Sequence, residues 1–199
     1  MKILVAALAF LPAAPVLAAE QLACEAPFAI DATEQSLAEA FGRANVVTRE
    51  ADGPEGTTLI ATFIHPDDPA RMQQILWWDE EELKEPSSIS VPPGDISPGG
   101  LAVGMSIEEV EAIVGHPFMM LGFGWDYGGS FGIQGGTIPG LPEGCFLSIQ
   151  FEPTAALPEG TDEGPINGDI EVPSDLPLLR QVKPVIEGLT FGYAHPDFG

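Results

Sequence analysis

Apolar positions follow helical spacing twice in this chain, and each time the period then changes to that of a strand. Leu37, Ala40 and Phe41 recur one helical turn apart, as do Val110, Ile113 and Val114. Thr33 and Ser106 stand where N-caps are expected, and Ser106-Ile107-Glu108-Glu109 has the spacing of a capping box. Acids in the first turn complement the helix dipole, and Gly42 and Gly115 stand where a helix stop favours glycine. Both predicted helices are short and need a sheet to cover their apolar stripe.

Strand patterns follow each helix. Residues 57–64, rich in Thr, Ile, Leu and Phe between Gly-Pro and His-Pro turns, predict one strand, and residues 73–79 a second. Residues 83–100, rich in Pro, Ser and Gly, read as a link between halves. Beyond the second helix, residues 118–127 and 146–152 read as strands, with a glycine-rich hairpin or wide loop over 128–144. Residues 159–175 read as an acidic surface excursion. Ser174 is a candidate cap for a short helical turn through Arg180, limited by Pro177 and Pro184, and a last strand runs through Val185 to Gly192.

The two helical segments align without a gap at an offset of 73 residues, from Pro27/Gly100 to Gly42/Gly115. Identities are confined to Ala29/Ala102 and Gly42/Gly115, but most other apolar positions keep their character. The expected class is α+β, with two tandem helix-plus-antiparallel-sheet repeats forming one continuous or concave sheet surface. The expected divisions are 1–18, a signal peptide; 19–96 and 97–158, the repeats; and 159–199, an acidic loop and C-terminal strand packed on the second repeat.

The leader reading rests on Lys2, the apolar run Ile3 to Val16 and the small-residue pattern Val16-Leu17-Ala18. Cleavage after Ala18 predicts a periplasmic or secreted protein. Lipidation at Cys24 is the lesser alternative, because Gln21 departs from the usual lipobox. No other stretch is long and apolar enough for a helical span. Acids outnumber bases 30 to 7, giving a formal charge of -23. Nucleic acid and anionic lipid are therefore poor partners, since phosphate binding needs clustered Lys and Arg. Two cysteines in an exported chain predict a Cys24–Cys145 disulfide, worth at most ~5 kcal/mol by chain entropy.

Gly104-Met105-Ser106, then Glu109-Val110, Val114-Gly115 and Pro117, resembles the helix start of the BamE-like outer-membrane assembly lipoproteins and of the β-lactamase inhibitory protein fold. Uncharacterised exported bacterial proteins also look like this chain around Gly122 to Gly129. The resemblance implies paired helix-and-sheet units with a shared concave surface, and action by binding other proteins. The first half departs from it, with Asp31-Ala32-Thr33 in place of Gly-Met-Ser.

Candidate sites follow from strand phase. Taken as a strand, residues 121–127 place Leu121, Phe123, Trp125 and Tyr127 on one face and Asp126 among glycines on the other. The 73-residue offset lays Leu76 on Ile149 and Trp78 on Phe151, predicting a buried Trp78 and an outward Trp77 beside Gln150. Trp77, Asp126 and Gln150 are thus the predicted contacts for an envelope protein partner, with Trp77 as anchor. The dense acids Asp79, Glu80, Glu81, Glu82 and Glu85 read as a solvated face. The alternative assigns them a carboxylate pair of an envelope hydrolase. A cation-binding structural protein is a third reading, through Asp162, Glu163, Asn167 and Asp169, which lack EF-hand spacing. His65, His116 and His195 are isolated, and no phosphate loop, nucleophile elbow or dinucleotide fingerprint occurs, so no cofactor is expected.

Overall fold

Thr33 and Ser106 both start helices with reciprocal caps. Thr33 Oγ1 accepts from the Ser36 N–H while Ser36 Oγ accepts from the Thr33 N–H; Ser106 and Glu109 repeat the exchange. The helices are α1, Glu34–Phe41, and α2, Ile107–Val114. Gly115 closes α2 in the left-handed region at φ 90°, where a side chain would be strained.

The computed structural model describes residues 19–53 and 56–198. The segment read as a leader lies outside them. Among these residues the fold is mixed α+β, with a seven-stranded, antiparallel main sheet and three α-helices. Strands β1 (Val46–Asp52), β2 (Thr58–Ile64), β3 (Gln73–Asp79) and β4 (Lys84–Ser90) follow α1. After α2 come β5 (Met119–Leu121), β6 (Ser130–Gln134), β7 (Cys145–Pro153), β8 (Glu171–Pro173), α3 (Pro177–Gln181) and β9 (Pro184–Tyr193). The main sheet runs β1-β2-β3-β4-β9-β7-β6, and β5 pairs with β8 in a separate ribbon.

Residues 83–100 are therefore not simply a link, because β4 lies inside the sheet. Pro86 fits there because it pairs with Trp77 at a bulge, where a missing N–H breaks no regular ladder. β9 joins the strands that follow α1 to those that follow α2. Phe191 pairs with Ile89 of β4 on one side and Leu147 of β7 on the other. The backbone makes this junction tight. A side chain at Gly192 would meet the Ser87 carbonyl at 2.1 Å, so only glycine fits.

Antiparallel pairing places Ile75, Ile89, Phe191 and Leu147 in one row on the same face. That face joins Leu37 of α1 and Ile107 and Val110 of α2 in a single buried core. Cys24 and Cys145 are bonded, tying the N-terminal segment to the start of β7 across 121 residues of sequence. Such a bond is consistent with an exported protein. No helix among the described residues is long and apolar enough to cross a membrane.

Candidate functional site

The tryptophan pair occupies the reverse of its predicted orientation. Trp77 is 4% exposed and Trp78 41%. Trp77 lies in the core, where its Nε1–H donates to Thr62 Oγ1 at 3.0 Å; the Thr62 hydroxyl also bonds Thr48 Oγ1 at 2.8 Å. The inward set of β7, Leu147, Ile149 and Phe151, is as expected. The error is one of phase: the inward set of β3 is Gln73, Ile75 and Trp77. The offset that aligns the helices is not kept into the strands, and a shift of one residue exchanges the two faces. The composition of β3 offers no correction, because Ile75-Trp77 and Leu76-Trp78 are equally apolar sets.

Trp78 therefore stands on the sheet face opposite the helices. Its Nε1–H donates to the Tyr193 carbonyl at 2.8 Å, and its rings meet the His195 ring edge-to-face at 5.0 Å. Leu59, Leu76 and Trp78, with the C-terminal turn at His195, form the apolar floor of a groove of about 750 Å³. Asp79, Glu80, Glu81, Glu85 and Asp197 line the same groove. The acids read from sequence as a solvated face are thus gathered around an exposed aromatic.

Asp79 accepts from the Glu82 N–H at 2.9 Å and pairs with Lys84 at 3.2 Å. The backbone hydrogen bond first, and Lys84 second, hold its carboxyl below the ordinary range. Asp79 is thereby kept as an anion, poorly suited to donate a proton. The groove offers negative charge, an indole face and an apolar floor, a combination suited to a cationic side chain.

The other predicted contacts lie elsewhere. Gln150, half-buried on β7, spends its amide on the Gly128 carbonyl at 3.3 Å. β4 and β9 separate its strand from β3, which puts the two about 14 Å apart. Asp126 is exposed, but on a loop. The strand expected over 118–127 ends at Leu121. Gly124 and Gly129 adopt φ of 84° and 75°, which extended backbone does not allow, and the Gly122 position is packed against the Gly168 carbonyl. Trp125 folds back to donate to the Gly122 carbonyl and packs edge-on against Tyr127.

Two acids of the 159–175 excursion are engaged locally: Asp162 accepts from the Gly164 N–H and Glu163 from the Asn167 amide. No cluster of three metal-ligating side chains occurs among the described residues.

Trp78 and His195 are the residues that sequence reasoning missed. Two adjacent tryptophans in a strand necessarily send one indole to each face, so an outward Trp was legible, though not which one. His195 carried no comparable signal, since only folding brings the C-terminal turn onto β3. Comparison with protein-family models, with curated proteins and with solved structures finds no match.

Proposed function

We propose that this chain is an exported, non-catalytic protein-binding module that docks a basic segment of a partner on its open sheet face. The observation that carries the reading is the half-exposed Trp78 set in a groove lined by five carboxylates. An Arg or Lys side chain gains cation–π contact with the indole and charge pairing with the rim, while its methylenes cover Leu59 and Leu76. Net charge adds long-range attraction for a basic partner. The Cys24–Cys145 disulfide supports an exported setting.

The same proposal takes the chain as a duplicated unit related to the BamE-like and β-lactamase inhibitory protein architectures. In its support, both N-cap residues bridge to the start of a strand, Thr33 to Lys84 of β4 and Ser106 to Val185 of β9. Those two strands are neighbours at the centre of the sheet.

The test is selection from a displayed peptide library on the full chain, with Trp78→Ala as counter-bait. Peptides retained by the first and not the second, enriched in Arg and Lys, are expected. Peptides bound equally by both baits mean bulk charge attraction and overturn the proposal.

A further inference from the structure

A second, more enclosed cavity of about 350 Å³ lies where Phe41 at the end of α1, the β2–β3 connection and the Pro93–Asp95 segment meet. This size is at the lower end of small-molecule pockets. Gln73 reaches it from β3. The residue is 5% exposed, and its Nε2 is enclosed by the fold, with no hydrogen-bond partner among the described residues.

Arg71 lines the same cavity and is exposed. Its Nη2 donates to His65 Nε2 at 2.9 Å, which requires a neutral imidazole. Burial first, and the Arg71 charge second, push His65 below its ordinary value and favour that form. Arg71 makes no ion pair with a carboxylate among the described residues, in a chain where acids outnumber bases 30 to 7. Its remaining N–H groups suit a planar carboxylate. Glu20 and Asp95 also line the cavity, so a purely anionic ligand meets repulsion there, whereas a ligand carrying both signs does not. Phe41 and Pro93 supply an apolar wall.

We infer that this cavity binds a small zwitterion of the α-amino acid class. The carboxylate lies toward Arg71, the ammonium toward Glu20 and Asp95, and the side chain against Phe41. This site is separate from the groove at Trp78 and does not depend on the docking proposal.

The experiment is saturation-transfer NMR of the full chain against the proteinogenic amino acids at millimolar concentration, each with its amide and its N-acetyl derivative. At least one amino acid is expected to bind, and its two derivatives are not. Arg71→Ala weakens that binding by about tenfold or more with an unchanged circular dichroism spectrum, since the side chain is exposed. Absence of binding by every amino acid, equal binding by the derivatives, or binding unaffected by Arg71→Ala overturns the inference.

Discussion

The Trp78 indole N–H donates to the Tyr193 carbonyl at 2.8 Å, linking residues 115 apart in sequence. That bond ties an exposed ring that lines the groove to the end of β9. A docking anchor held in this way loses little side-chain entropy on binding. Trp78→Ala is expected to weaken a selected basic peptide by about 2 kcal/mol or more. The fold is retained, as read by an unchanged near-ultraviolet spectrum of the remaining aromatics. Binding should also weaken as salt is raised, because the rim carboxylates are solvent-facing.

Trp77 behaves oppositely. Trp77→Ala empties a core position and removes the donor to Thr62, so a loss of about 3–5 kcal/mol is expected by denaturant titration. Retained stability in this variant together with lost peptide binding would restore Trp77 as the anchor.

Opening the Cys24–Cys145 bond by a double Cys→Ser substitution is expected to cost about 2–5 kcal/mol. The long closed loop restricts the unfolded chain strongly. Calorimetry of the variant against the wild type measures the difference.

Tyr193 is buried and donates its hydroxyl to the Phe28 carbonyl at 2.7 Å. Burial, and then the negative charge of Asp31, raise its pKa from 10.0 to about 12. The neutral phenol is therefore favoured in the native state. Between these values the unfolded chain ionises while the native protein keeps its proton, so unfolding releases a proton and stability falls as pH rises. The contribution is fully present below pH 10.0 and lost toward about pH 12. Tyr193→Phe is expected to flatten this part of a melting-temperature profile relative to wild type.

Arg180 ties α3 to α2 through Glu111 at 2.5 Å and Glu108 at 2.7 Å, while buried Ser174 donates to the same Glu111. Burial works to lower the Arg180 pKa, but the two carboxylates outweigh it and the net direction is up. Arg180→Ala leaves the largely buried Glu111 carboxylate without its cation and is expected to cost about 1–3 kcal/mol by urea titration. Arg180→Lys should recover part of the loss.

Local chemistry accounts for the features that were legible along the chain. Thr33 and Ser106 cap helices because a hydroxyl at that position satisfies otherwise orphaned N–H groups within three residues. Leu147, Ile149 and Phe151 point inward because their strand alternates cleanly with polar neighbours. Two cysteines left one pairing within the chain, and that pairing forms. Long-range packing settled the rest. In β3 both faces are apolar, so the neighbours across β2 and β4 chose which tryptophan is buried. The Pro/Ser-rich passage became β4 because Trp77 bulges opposite Pro86 and Gly192 lets β9 approach. The groove needs β2, β3 and the C-terminal turn together, and pairing between such distant segments depends on packing that no local pattern encodes.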